Sequence, residues 1–264
     1  PKKQAAYQLR RMEIFQGAYQ KNFYTTGCRM CLIYQKIKDG NQFLKISANK
    51  ICAILPFYNE KRFLAQIVSE LIPLVDILIA VNDGSDDGSL GEISQNDKIV
   101  LLNHSKNNGK GAALNTGFLK SIELDTRYTI TIDADLQHPV SSIPQMLEKC
   151  GAYDIVIGNR MHSLENMPLA RRLSNFLTSH ILTIKTGVKI NDSQCGFRIY
   201  KTSILKDILP SLNGFEAESE ILVNAARNNL TIGSVNIPVI YGEEESKMKN
   251  IEAIKGFLKV VLTK

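Results

Sequence analysis

From residue 51 onward, short uninterrupted apolar runs alternate with stretches whose apolar residues recur three and four apart. "ICAILPF" (51–57) has the composition of a strand covered on both faces, and the helical period takes over from about Lys61 to Leu74. "DILIAVND" and "KIVLLNH" predict a second and a third strand. A helix from about Gly111 to Ile122 leads into the strand "YTITID", and "YDIVIGNR" follows the next helix. Strands that alternate with helices build a mainly parallel sheet with helices on both faces. Ligands of such sheets sit beyond the carboxyl ends of the strands. The informative loops are therefore those after Pro56, Val81, His104, Ile132 and Ile157.

Those loops read "FYNE", "NDGSDDGS", "SKNNGKGAALNTGF", "DADLQHP" and "GNRM". Turn and cap chemistry accounts for many of their Gly, Asn, Asp and Ser residues. It does not account for the gathering of Asp83, Asp133, Asp135, Lys110 and Arg160 along one sheet edge. Asp133 and Asp135 would project to the same side if the strand continued through them. Two like charges so placed repel unless something positive lies between them. Taken alone, the pair reads either as a solvated turn after a strand or as a seat for a divalent cation. "NNGKGAAL" is not a P-loop, since His104 stands where that pattern needs its first Gly and Gly111 follows Lys110; Leu114 also excludes a dinucleotide fingerprint.

Charge is divided unevenly over the 264 residues. Residues 1–50 carry ten Lys/Arg against Glu13 and Asp39, a net of +8, whereas residues 51–264 carry 22 against 24, a net of −2. A nucleic-acid-binding core is thus disfavoured, and the basic surface belongs to the first segment, where anionic lipid or a covering partner would both suit it. Cys28, Cys31, Cys52, Cys150 and Cys195 are odd in number and scattered, which fits a reducing, cytoplasmic setting; the one CxxC, Cys28–Cys31, has no second pair to complete a zinc site. "LIPLVDILIAV" is interrupted by Pro73 and Asp76, and no run reaches the length of a membrane span. Pro1 in place of Met is what a piece of a longer polypeptide would show.

"ILPFYNE", "VNDGSDDGS", "NNGKGAALNTGF", "DADLQHP", "GNRM" and "DSQCGFRIYK", in this order, resemble the large inverting family 2 of glycosyltransferases, and within it the polyprenyl-phosphate, dolichyl-phosphate mannose synthase-like branch. The resemblance covers roughly residues 50–260. It implies the nucleotide-diphospho-sugar transferase (type A) fold, with a catalytic domain over 49–264 and residues 1–48 as a basic extension or the end of a preceding domain. It implies a nucleotide-sugar donor and a Mg²⁺ or Mn²⁺ ion on Asp133 and Asp135, with Gln137 as a further ligand. Asp83 would accept hydrogen bonds from the base, Pro56, Tyr58 and Glu60 would line the nucleoside pocket, and Lys110 would stand there or near the phosphates. Asn82 departs from the family, which usually has Asp at that position.

A lipid monophosphate acceptor is already anionic and needs cations rather than a general base. Arg160, Arg171 and Arg172 match the lipid-phosphate branch by position, and an arginine fork suits phosphate; Ser174 and Arg198 are weaker candidates. Were the acceptor a sugar hydroxyl, Glu220 would be the base, sharing a helical face with Glu216 while Glu218 falls off it. Ser246 and Lys247, after the late strand in "NIPVIYGEEESK", would close over a phosphate, with Lys247 the better choice. Ile251, Ile254, Phe257, Leu258, Val261 and Leu262 make one stripe flanked by Lys249, Lys255 and Lys259, the pattern of an interfacial helix or of one packed on the domain. A cytoplasmic enzyme peripheral to the membrane is the resulting expectation.

Overall fold

The unbroken apolar run at the start of the second segment becomes the middle of a sheet. In the computed structural model, which describes residues 50–162, 167, 169–238 and 250–262, all within the unit Ser47–Lys264, strand β1 (Ile51–Phe57) has parallel neighbours on both sides. The basic segment 1–48 and the Ser246–Lys247 loop fall outside the described residues. Helix α1 (Lys61–Leu71) turns Leu64, Ile67, Val68 and Leu71 onto the sheet at helical spacing. Burying each such side chain is worth about 1.5–3 kcal/mol, which is what holds the helix there.

Strands β2 (Ile77–Asn82), β3 (Ile99–Asn103), β4 (Tyr128–Thr131), β5 (Ile155–Asn159), β6 (Arg198–Lys201) and β7 (Ile232–Asn236) complete a seven-stranded sheet in the order β3-β2-β1-β4-β6-β5-β7. The pairs are parallel except those of β6, which runs antiparallel to β4 and to β5. Helices α2 (Lys110–Glu123), α3 (Ile143–Lys149), α4 (Leu169–Thr186), α5 (Leu205–Ile208), α6 (Ala217–Arg227) and α7 (Asn250–Leu262) surround it. The sheet is thus mostly parallel, as the alternating pattern predicts. The antiparallel strand escapes that pattern because "FRIYK" is too short to show a period. β7 ends at Asn236, the first residue of "NIPVIYG", of which residues 239–242 lie outside the described residues.

Reversal of β6 decides which loops meet. The carboxyl ends of β1, β2, β3, β4, β5 and β7 share one edge, and the amino end of β6 opens there too, with Arg198 opposite Thr131 of β4. The segment leading into β6, 190–197, is therefore delivered to the same edge as the five loops.

Gly109 opens α2 at φ +99, and a Cβ there would run into the backbone carbonyl of Asn213. The close approach lets the Gly111 N–H donate to that carbonyl at 2.7 Å and the Ala112 N–H at 3.3 Å. An alanine at 109 would be strained in its backbone by about 1–3 kcal/mol before any clash is counted. Gly109→Ala is accordingly expected to lower the urea midpoint of unfolding by at least that free energy, whereas Gly151→Ala, with open space around it, leaves it nearly unchanged.

Candidate active site

The turn residues of the first two loops hold one another. The Asn59 amide donates to Asp86 Oδ1 at 2.8 Å while Asn59 Oδ1 accepts from the Asp86 N–H at 3.0 Å. The Glu60 N–H donates to Ser89 Oγ at 3.0 Å and the Lys61 N–H to Asp87 at 3.1 Å. Pro56, Tyr58 and Glu60 are left half-buried beside this knot. Asn82 belongs to the frame, donating to Asn103 Oδ1 and accepting from the Ser85 N–H.

Asp83 is buried and its carboxylate accepts from the backbone N–H groups of Asn108 at 3.0 Å and Gly109 at 2.8 Å. His104 Nδ1 stands 2.6 Å away and, facing a carboxylate that only accepts, is the donor. Three of about four lone-pair positions are thereby used. Asp83 fixes the start of α2 whatever else it binds.

Fixing that start places Lys110. Its ammonium lies 2.7 Å from Asp133 and 3.0 Å from Glu218, and 5.8 Å above the ring of Phe215. Burial alone would raise the Asp133 pKa, but the Lys110 charge outweighs it and holds the carboxyl below its ordinary value. Burial likewise opposes the charge on Lys110, and the two carboxylates overcome it, raising its pKa. Gly196 makes room for the group: a Cβ there would stand 2.6 Å from Asp133 Oδ2, 2.8 Å from Glu218 Oε1 and 3.0 Å from Lys110 Nζ.

β4 stops at Thr131, so strand alternation is not what relates the two aspartates. They lie in a turn with Leu136 at φ +58, and Asp135 Oδ1 accepts the Gln137 N–H at 3.0 Å. Among the described residues no group of three or more His, Cys, Asp or Glu side chains is placed to hold a metal. A cation at Asp133 and Asp135 would take one or two carboxylates and fill its shell with phosphate oxygens and water, the manner in which Mg²⁺ is usually bound. The donor set fits that kind of site.

Glu216 and Glu220 share a helical face and Glu218 lies off it, as the spacing predicts, but it is the face of Glu218 that turns to Lys110. Glu220 accepts from Ser211 Oγ at 2.6 Å, the Ser211 N–H at 3.0 Å and the Leu212 N–H at 2.9 Å, and Glu216 turns towards the Gly214 N–H and Gly256 of α7. Glu218, which helical spacing alone sets apart, is the acid that meets Lys110. The chain of contacts still gives Glu220 a part: it anchors the 211–213 turn whose Asn213 carbonyl receives the first N–H groups of α2.

Arg198 is not a phosphate ligand. It is fully buried and donates to the carbonyls of Cys195, Glu218 and Ser193, each at 2.8 Å. It clamps the segment before β6 to the first turn of α6, which is where Glu218 begins.

Arg160 holds Asp192 through two side-chain bonds of 2.7 and 2.9 Å and its own N–H at 3.1 Å. The amide of Asn175 on α4 joins the same carboxylate at 2.9 Å. Arg171, half-buried, lies one turn before Asn175; Arg172 is half-buried too and donates from Nε to the Met167 carbonyl at 2.7 Å. Ser174 is exposed and accepts from Gln194 at 3.2 Å. Asp192 and Asn175, to which the sequence pattern assigns no role, connect Arg160 to the helix that carries the arginine pair. Lys247 lies outside the described residues.

His138 is buried beneath the Asp133 turn against Phe197, 5.8 Å between rings, and its Nδ1 has no hydrogen-bond partner. Burial, and then the Arg160 charge, bring its pKa down to about 4.

Residues 52–209 match the family described as Glycosyl transferase family 2. The chain is 33% identical over 231 residues to UDP-N-acetylglucosamine–dolichyl-phosphate N-acetylglucosaminyltransferase of Methanococcus voltae, spanning 78% of this chain and 92% of that one. It is 26% identical over 208 residues to undecaprenyl-phosphate mannosyltransferase of Micrococcus luteus, spanning 74% and 85%. Glucosyl-3-phosphoglycerate synthase from Mycobacterium tuberculosis, crystallised with Mn²⁺, UDP and phosphoglyceric acid, has the same fold at a TM-score of 0.62 and 17% identity, over 82% of this chain and 77% of that one.

The His138 pKa of about 4 lies below its unfolded value of roughly 6.5, so between those values the unfolded chain binds a proton that the folded one refuses. Stability from this group is complete above the upper value and falls as the pH drops, by about 3 kcal/mol at the lower one. Asp133 and Asp192, both held low, add their loss only below the ordinary carboxylate range. Urea titrations from pH 7 to 4.5 should show the decline in the wild type and a flat profile in His138→Phe.

Proposed function

The chain belongs to glycosyl transferase family 2, and we propose that it moves a sugar from a UDP- or GDP-linked donor to a polyprenyl phosphate with inversion at the anomeric carbon. The observation that carries the acceptor half is the commitment of the helix acids: Glu220 is used on Ser211 and Leu212, and Glu218 on Lys110. An anionic phosphate oxygen needs no base, and the Arg160–Asp192–Asn175 link sets a cation beside the helix start that bears Arg171 and Arg172.

In the proposed reaction the acceptor phosphate oxygen forms the new bond to the anomeric carbon as the bond to the donor diphosphate breaks, and the electron pair leaves with the nucleoside diphosphate. Pro56, Tyr58, Glu60 and Asp83 hold the nucleoside. Asp133 and Asp135, with Gln137, would hold Mg²⁺ or Mn²⁺, which supplies positive charge for the departing diphosphate. Lys110 adds a second cation at that place. Arg160, Arg171, Arg172 and, at the far side, Ser174 and Lys247 orient the acceptor phosphate.

The same reading assigns the membrane face. Leu169, Leu173, Phe176 and Leu177 are exposed on α4, and Ile254, Leu258 and Leu262 on α7, which packs against α4 and α6. Only part of the sequence stripe on α7 points outward, since Phe257 and Val261 are half-buried, beside a buried Val260 that is not part of the stripe. Exposed Lys255 and Lys259 border the apolar row, a combination suited to anionic lipid headgroups. Among the described residues no helix is long and apolar enough to cross a membrane.

Transfer of radiolabelled sugar from a panel of UDP- and GDP-sugars to short-chain polyprenyl phosphate with Mn²⁺ tests the reading. One donor should be used, and Asp135→Ala and the Arg171→Ala/Arg172→Ala pair should each lose on the order of 10²-fold in rate. Donor hydrolysis without lipid product would remove the acceptor assignment. Leu173→Glu with Leu258→Glu should abolish flotation with vesicles containing one-third phosphatidylglycerol and slow transfer to long-chain acceptor in those vesicles, while transfer to the water-soluble short-chain acceptor is kept.

A further inference from the structure

The ammonium of Lys110 and the proposed metal ion claim the same carboxylate. We propose that Lys110 is the placeholder cation of Asp133: it neutralises the carboxylate while the metal is away, yields it when the metal binds, and is retained by Glu218, which thereby acts as a positioning residue. The proposal rests on Asp133 being a metal ligand, as in the function proposed above.

Three observations support it. Lys110 bridges two carboxylates carried by different elements, one at the end of β4 and one in the first turn of α6, at 2.7 and 3.0 Å, so losing one partner does not leave the ammonium unpaired. That second partner is what makes exchange feasible, because an uncompensated charge at a buried site is strongly disfavoured. Gly196 lies against all three groups, where a Cβ would crowd the ammonium and both carboxylates together. The anchors of Lys110 and Glu218, finally, do not involve Asp133: the start of α2 is tied to Asp83 and Asn213, and the start of α6 to Arg198. Lys110 and Glu218 therefore keep their places when the 133–135 turn takes up a new ligand.

The test is Mn²⁺ affinity of the donor-free protein, read from the electron paramagnetic resonance signal of free Mn²⁺. Lys110→Met removes the competitor and should tighten binding on the order of tenfold. Lys110→Arg keeps the charge but grips a carboxylate with a planar fork, and should weaken binding relative to wild type; a bystander charge would leave this variant equal to wild type. Glu218→Gln leaves the displaced ammonium without its second anion and should weaken binding several-fold, and this variant decides if the Lys110 variants fail to fold. Unchanged or weaker binding in Lys110→Met, or unchanged or tighter binding in Lys110→Arg or Glu218→Gln, overturns the proposal while leaving the metal site in place. Failure of the wild type to bind Mn²⁺ even with UDP or GDP present would overturn the metal site itself, and the placeholder with it.

Discussion

A charged lysine in a space from which most water is excluded must be paired on every side that water has left, and Lys110 imposes that condition on three separate stretches of chain. Asp133 comes from the end of β4, Glu218 from the start of α6, and the lysine itself from the start of α2. Both carboxylates have to be brought to within 3.0 Å of the ammonium, and the helix starts are held by backbone devices behind them. Asp83 receives the N–H groups that open α2, Glu220 receives those of the turn on which α2 rests, and Arg198 ties the carbonyls of 193, 195 and 218 together. Removing one partner of a buried pair costs several kcal/mol because the other is stranded, so these supports matter as much to the fold as to the chemistry.

The site divides into a half built from tightly satisfied polar groups and a half built on one helix. On the side proposed for the donor, Asn59, Asp86 and Asp87 stitch the first two loops into a single unit, and Asn82 braces the second loop against β3. A ligand there meets a preformed surface rather than loose loops, which lowers the entropic cost of binding. On the acceptor side, α4 is joined to the rest of the site through the Arg160–Asp192–Asn175 contacts and through Ser179 and Ser193. Its outer face is apolar and bordered by cations.

Much of this was legible in the sequence, and the reasons for the exceptions are specific. The buried strands declare themselves because parallel strands covered on both faces are written as unbroken apolar runs, and the helices between them keep a clear period. The carboxyl-end loops follow from that alternation. Arg198 misleads because an arginine in a polar motif resembles a ligand, while nothing in one dimension shows three carbonyls converging on it. Glu218 and Glu220 are separated by half a turn of helix, and which side faces the sheet edge depends on a helix start held by Arg198, which is not part of that helix. Asp133 and Asp135 do lie at the carboxyl-end edge, but β4 ends before them, so a turn and not strand alternation relates the two. β6 has only four residues, too few to carry a pattern.

The sheet also divides by the length of chain each pairing must close. β1, β2 and β3 pair at short range, as Cys52 with Ile77, whereas the pairings of β4 and β7 close much longer stretches, as Ile51 with Tyr128, Thr131 with Arg198 and Ile155 with Ile232. Loop closure becomes more costly as the intervening chain lengthens, and contacts of long range are slow to form. The β1-β2-β3 part of the sheet can therefore condense from neighbouring segments, while β4, and through β6 the strand that presents Arg160, join by pairings that close much longer stretches. Short-range pairing is thus confined to the part of the sheet that carries the loops after β1 and β2, and the rest of the edge, Asp133 and Arg160 included, is assembled from segments distant in sequence.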